Sequence, residues 1–367
     1  MVRLYGEEIG RRELLRRVPA LDQLAGVRRV RLEDGPEDGI SAVEVRTGGG
    51  LSYTVVPSRA LDLAAAECDG LPLAWRSGAG EVHPAYTYRT LGWNVGWFGG
   101  LLATCGLDNV GNPGEDELGA FAQHGHLNGV AARQVGYGAR WEGPAEGRDG
   151  PTDPDRYVLW VEGELRQKDG WMPGSYDVVL RRRIESELGG RTIAIADTVE
   201  NLAQTPAPLM LLYHVNFGYP LVAPGAEVLS RRSGLSQLFG EPPPEGATGV
   251  APPSADYRAS VHAHELVADA DGMAEAAIVN DRLETGVRLR FPIAELPYFN
   301  QWKQLVDGRY VVALEPGNSG GVNRVRARER GALPLLGSGE TRRFHLEITV
   351  LRGRDELADA RARLRPT

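Results

Sequence analysis

Along most of the chain, apolar and polar residues alternate with a period of two. The pattern runs through "GISAVEVRTGGGLSYTVVPSRALDLAAAECDG", "RYVLWVEGELRQ", "YDVVLRRRIESELGGRTIAIADTVENL", "APLMLLYHVNFGYPL", "GVRLRFPI", "YVVALEPG" and "RRFHLEITVLRG". Alternation sends successive side chains to opposite faces, the signature of half-buried antiparallel strands. The Gly189-Gly190 pair joins two such segments and predicts a tight two-residue hairpin. Helical periodicity shows near the start, in "EIGRRELLRRVPALDQLAG", where Ile9, Leu14, Leu15 and Val18 share a stripe that ends near Pro19. With 47 glycines, 24 prolines and few helical stretches, the chain reads as all-β. Many short strands in two large antiparallel sheets, stacked as a sandwich behind a short N-terminal helix, bury such a pattern best. The Pro/Gly-rich segments "FGEPPPEGATGVAPPSADY" and "WEGPAEGRDGPTDPDR" read as loops. Strands of one style flank both, so residues 1–367 are expected to form a single domain.

Composition narrows the function classes. The chain has 367 residues, 42% of them hydrophobic and 25% charged, with a formal net charge of -8. Such an acidic chain lacks the basic stripe of a nucleic-acid binder. Its basic clusters, Arg28-Arg29-Arg31 and Arg181-Arg182-Arg183, alternate with apolar residues and read as solvated strand faces. Cys68 and Cys105 supply neither a disulfide framework nor a paired metal motif. The N-terminal "MVRLYGEEIGRRELL" has no apolar core, and no run approaches the roughly 20 apolar residues that span a bilayer. A cytoplasmic protein with neither nucleic-acid nor membrane partners is expected. The exposed edges of a large sandwich allow a monomer or a homodimer.

Candidate chemistry falls at polar residues set into apolar strands. In "LLYHVNFGYP", His214 and Asn216 point the same way, as a concave polar site or as a core histidine satisfied by backbone. In "FAQHGHLNG", His124 and His126 flank Gly125 in a loop whose glycines allow close backbone approach to a ligand. Their i, i+2 spacing also fits a metal site or merely exposed histidines. Glu315 ends the apolar strand of "YVVALEPGNSGG", where partial desolvation raises a carboxylate's pKa and suits it to general-base work. In "FNQWKQ", Trp302 offers a flat face for a sugar ring, and Lys303 and Gln304 offer donors. Arg59 and Asp62, in "PSRALDL", either bind substrate or pair with each other. His83, His262, His264 and His345 read as structural or surface residues.

The stretches "PSRALDLAAAECDGLPLAW", "GWFGGLLATCGLDNVG", "HGHLNG", "YHVNFGYPL" and "WKQ…VVALEPGNSGG", in this order, span Pro57 to Gly321. Together they resemble the galactose mutarotase-like (aldose 1-epimerase) superfamily, and within it the bacterial branch of the DUF4432 type. The resemblance implies a β-supersandwich that carries a small-molecule sugar in a concave groove. By position it makes His214 the general acid on the ring oxygen and Glu315 the base on the anomeric hydroxyl. His124 becomes the loop histidine on the sugar hydroxyls. Beside these three, Arg59, Asp62, His126, Asn216, Trp302 and Lys303 are the candidate substrate contacts that the residues themselves offer. Exchange of anomers by such an acid and base needs no cofactor. The strand motif differs from the family's usual order, since Asn216 precedes Phe217. The loop reads "HGHLNG" where mutarotases have "HGG". Two other readings remain on the same scaffold. One is a metal-assisted sugar isomerase or epimerase with His124, His126, His214 and Glu315 as ligands; the other is a carbohydrate-binding protein without catalysis.

Overall fold

The computed structural model describes residues 1–87, 96–117, 119–142, 156–168, 170 and 175–367. The loop "WEGPAEGRDGPTDPDR" lies largely outside the described residues. Among those described, two large antiparallel sheets of eleven and eight strands dominate. The larger runs, in spatial order, Arg232–Phe239, Ser260–Leu266, Tyr298–Val306, Arg309–Gly317, Met210–Phe217, Leu102–Leu107, Asp62–Cys68, Leu51–Val56, Ser41–Arg46 and Gly26–Arg31, with Leu71–Pro72 beside Asp62–Cys68. The smaller runs Arg133–Trp141, Tyr157–Lys168, Asp177–Glu187, Thr192–Asn201, Thr341–Arg352, Thr285–Pro292, Met273–Asn280 and Glu227–Ser230. The Gly189-Gly190 hairpin joins Asp177–Glu187 to Thr192–Asn201, with Gly189 at φ +77, the left-handed region such a turn requires.

The sheets meet through one apolar cluster. Leu63, Leu102, Leu211, Val215, Val312 and Leu314 come from the larger sheet, and Val161, Leu180, Ile195, Ile278, Leu289 and Leu346 from the smaller. The strand Met210–Phe217, at the centre of the larger sheet, is buried at every residue. Its odd-numbered residues, Leu211, Tyr213, Val215 and Phe217, belong to this core. Its even-numbered Met210 and Leu212 pack on the other face against Ala103, Cys105, Val110 and Ala327. His214 and Asn216 share that second face, outside the main core.

Three elements depart from the sequence reading. Ile9 lies in the strand Glu7–Ile9, and the N-terminal helix spans Arg11–Arg17 with Leu14 buried and Leu15 47% exposed. A helix at Arg354–Arg363 seats Leu357, Ala360 and Leu364 on the smaller sheet, a narrow stripe among charged residues. A short helix at Arg324–Glu329, N-capped by Asn323, carries Ala327 onto the outer face of the central strands.

The Arg181–Arg183 cluster is only partly a solvated face. Arg181 meets Glu164 and Glu200, and Arg183 meets Glu162 and Glu185. Arg182, between them, points inward and its side chain is fully buried. It donates to both Asp197 oxygens at 2.9 and 2.6 Å and to Thr104 Oγ1 at 2.8 Å, while Tyr213 donates to Asp197 at 2.7 Å. Alternation itself dictates this, because the middle residue of any strand triplet faces opposite to its neighbours.

Candidate active site

Register brings the key residues into one row across the larger sheet. Asn300 pairs with Glu315, and His214 pairs with Ala103. The pairings Leu212↔Gly317 and Val215↔Leu314 place His214 beside Glu315 on the neighbouring strand. His214 Nε2 lies 3.2 Å from Glu315 Oε1, and both side chains are more than nine-tenths buried.

Asn216 sets the imidazole's orientation. Its Nδ2 donates to Gly100 O at 3.1 Å and to His214 O at 2.9 Å, so its Oδ1 faces His214 Nδ1 at 2.6 Å. An amide oxygen only accepts, so Nδ1 bears the proton and Nε2 is the nitrogen presented to Glu315. The unusual order of the strand motif thus has a structural basis: a partner two residues on shares the histidine's face.

Aromatic rings wall the pair. Trp97, Trp302 and His124 lie edge-on to His214, with ring centroids at 5.3, 5.6 and 5.8 Å. Burial of this kind disfavours charge on either partner. It pushes the His214 pKa down to about 3, with the nearby His124 adding to the effect, and pushes the Glu315 pKa up to about 8. Near neutral pH the pair therefore holds one proton, resting on Glu315.

The groove above the pair has a volume of 1020 Å³. Trp75, Trp97, His124, Asn300, Trp302 and Gln304 line it. His124 projects from a loop at φ +57, and its Nδ1 accepts from the Gly111 N–H at 3.4 Å. The proton therefore sits on Nε2, and burial lowers the His124 pKa to about 4, keeping the ring neutral. The adjacent Gly125, at φ +74, brings this loop against the chain itself. A Cβ there would stand 2.4 Å from Gly106 O and 2.7 Å from Asn109 O. The glycine serves close packing beneath the site.

Five expected contacts are placed elsewhere, the first being Asn216, which is fully buried, spends its amide on His214 and Gly100 and does not line the groove. His126 turns to Asp108, Nδ1 to Oδ2 at 3.0 Å, and is not among the groove residues. Lys303 lies on the opposite face of its strand from Trp302 and Gln304, as alternation requires. Its ammonium holds Glu245 and the carbonyls of Gly246 and Gly249 at 2.7–2.8 Å, clamping the Pro/Gly-rich loop. Arg59 is 2% exposed and donates to Val82 O, Gly96 O and Asn128. Asp62 accepts from Thr104 N and Oγ1 and from Asn128 Nδ2. Asn128 of "HGHLNG" bridges the two, so the Arg59 and Asp62 motif braces the histidine loop from behind. The alternative metal set fails the same geometric test. Among the described residues no three His, Cys, Asp or Glu side chains are grouped to hold a metal ion.

Sequence reasoning missed several groove residues: Trp75, Trp97, Asn300, Arg309, Arg326 and Arg330. Asn300 was within reach, since it shares its strand's alternating face with Trp302 and Gln304.

Residues 37–350 match the family model described as "Domain of unknown function (DUF4432)". Among solved structures, a putative aldose 1-epimerase from Klebsiella pneumoniae superposes with a TM-score of 0.82 at 23% identity, covering 94% of this chain and 89% of that one. A galactose mutarotase-like protein from Clostridium acetobutylicum gives 0.58 at 13% identity, covering 90% and 99%. Galactose 1-epimerase from Lactobacillus acidophilus gives 0.56 at 11% identity, covering 89% and 99%. At these identities the likeness is one of fold. No curated protein matches the chain.

Proposed function

The chain belongs to the DUF4432 family, and from that premise we propose that it is an aldose 1-epimerase, interconverting sugar anomers by acid–base ring opening. The observation that carries this reading is the contact of His214 with Glu315 at 3.2 Å on the floor of an aromatic-walled groove. The anomeric oxygen and the ring oxygen are both bonded to C1. An acid and a base acting on them together must therefore stand close to one another, as these two do.

Glu315 takes the proton from the anomeric hydroxyl while His214 Nε2 gives one to the ring oxygen, and the C1–ring oxygen bond breaks. Rotation about C1–C2 turns the carbonyl over, and reclosure by the reverse transfers yields the other anomer. Opening carries the pair from carboxylate plus imidazolium to carboxylic acid plus imidazole, and closure returns it. The proton count of the pair never changes, so one shared proton serves every turnover. The resting proton on Glu315 must pass to His214 as sugar binds; hydroxyls donating to the carboxylate favour its charged form. Trp97 and Trp302 supply apolar faces for the ring, with Asn300, Gln304 and His124 at its hydroxyls.

Two outcomes are expected. Proton NMR exchange between anomers, run over a panel of aldoses, shows catalysis above the spontaneous rate for at least one sugar. No acceleration for any sugar would leave a binding protein in place of an enzyme. The pH profile of kcat/KM is flat near neutrality and falls on the alkaline side with an apparent pKa near 8, where the pair loses its proton. A profile level to pH ~10 would remove Glu315 from the acid–base role.

A further inference from the structure

The groove holds more than one sugar ring needs. Its 1020 Å³ stands at the top of the roughly 300–1,000 Å³ span of small-molecule sites. Its charged lining residues are Glu315, Arg309, Arg326 and Arg330, an excess of positive charge in a chain of formal net charge -8.

The helix Arg324–Glu329 sorts its arginines by face. Arg324 and Arg328, four apart, both turn to Asp116, at 2.6 and 3.0 Å. Arg326 and Arg330, also four apart and therefore on a common face, line the groove. Among the described residues neither has an ion-pair partner for its guanidinium. The start of this helix is tied to the row that carries Glu315. Gly321, at φ +76, packs so near Asn300 that a Cβ would lie 2.6 Å from its Nδ2, and Asn300 pairs directly with Glu315. Arg326 is the third residue of the helix, and Arg330, its C-cap, stands one turn further on. Arg309 is six residues along the strand from Glu315, roughly 20 Å away, and adds to the field without reaching the same group.

We infer that the sugar taken by this groove is anionic: a phosphorylated or carboxylated monosaccharide whose charged group is held by Arg326 and Arg330 while its anomeric centre lies on His214 and Glu315. The inference rests on the sugar-epimerase reading and goes beyond it in naming the substrate's charge. Planar guanidinium forks match phosphate and carboxylate oxygens in pairs, and a cationic groove mouth concentrates such ligands.

Calorimetric titration of the whole protein tests this with glucose, galactose and mannose, their 6-phosphates and their uronates. At least one anionic sugar is expected to bind tenfold or more tightly than its neutral parent, and the phosphate and carboxylate arms show which group is recognised. Rising ionic strength weakens that binding. The double variant Arg326→Ala/Arg330→Ala loses about tenfold in affinity for the anionic sugar, as two exposed charge contacts imply, with its affinity for the neutral parent unchanged. Neutral sugars binding as tightly as every anionic one, no anionic sugar binding, or undiminished anionic binding by the double variant would each overturn the inference. Titration reads binding, and NMR reads exchange. An anionic sugar that binds but is not interconverted overturns the epimerase reading alone; exchange of neutral sugars with no anionic preference overturns this inference alone.

Discussion

Replacing Glu315 by glutamine is expected to slow anomer exchange by about 10²–10⁴-fold and, at pH 7, to make the protein more stable by up to about 3 kcal/mol. Both effects come from the same burial. In the unfolded chain the carboxyl titrates near its ordinary 4.5, whereas the folded protein keeps the proton until about pH 8. Unfolding between these limits releases a proton, so stability falls as pH rises, by about 1.4 kcal/mol per pH unit. Glutamine carries no such charge, and its amide N–H can donate to His214 Nε2 as the carboxylic acid does. The advantage of the variant should be small near pH 4.5, about 3 kcal/mol at pH 7, and largest above pH 8. His214 acts with the opposite sign. Its folded pKa of about 3 lies below the ordinary 6.5, so stability falls as pH drops below 6.5. Between about 4.5 and 6.5 the two slopes cancel, and the wild type is flattest there. Urea denaturation across this range and NMR exchange on the same samples check the prediction. An active Glu315→Gln protein, or one less stable than wild type at pH 7, would mean the carboxylate is a structural group.

The sandwich was legible because period-two alternation is a strong local signal over the many strands of both sheets. The row at the centre of the larger sheet was legible for the same reason: a histidine and a glutamate in apolar strands stand out against their neighbours. What the sequence could not supply was which face of each strand opens to solvent and which to the second sheet. Lys303 is adjacent in sequence to Trp302 yet separated from it by the thickness of the sheet. Arg59 and Asp62 looked like ligands because they are charged, but both are satisfied inside the fold by Asn128, far along the chain. His126 resembled a partner of His124, yet its carboxylate, Asp108, was visible only once the loop had closed. Two of the groove arginines, Arg326 and Arg330, lie on a six-residue helix and at its C-cap among other arginines, a stretch too short and too polar for periodicity to reveal. Its cap was nevertheless written in the chain, since the Asn323 side chain accepts from the Arg326 N–H at 3.0 Å.

Arg182→Ala should cost about 3–5 kcal/mol of stability, more than a substitution at any exposed arginine of the same sheets. The guanidinium is fully buried between the sheets and links Asp197 on one to Thr104 on the other and to the Ala60 carbonyl in the turn before Asp62–Cys68. Removing it leaves the Asp197 carboxylate in the core with only the Tyr213 hydroxyl to answer it, and opens a cavity beside that charge. Arg28, paired with Glu44 in solvent, offers the contrast: Arg28→Ala should change stability by under about 1 kcal/mol. Urea midpoints of the two variants, with unchanged slope, provide the measurement. The effect also bears on function, because Tyr213 directly precedes His214 in the central strand. One side of that strand is fixed to the second sheet by the Asp197–Arg182 pair, and the other presents the imidazole to Glu315. At temperatures where Arg182→Ala remains folded, exchange should therefore be slower than in wild type, with kcat affected more than KM, since the ring walls Trp97 and Trp302 lie outside this strand and are untouched. A stability loss below about 1 kcal/mol for Arg182→Ala would show that apolar packing alone sets the two sheets, and that the buried ion pair contributes no more than a surface one.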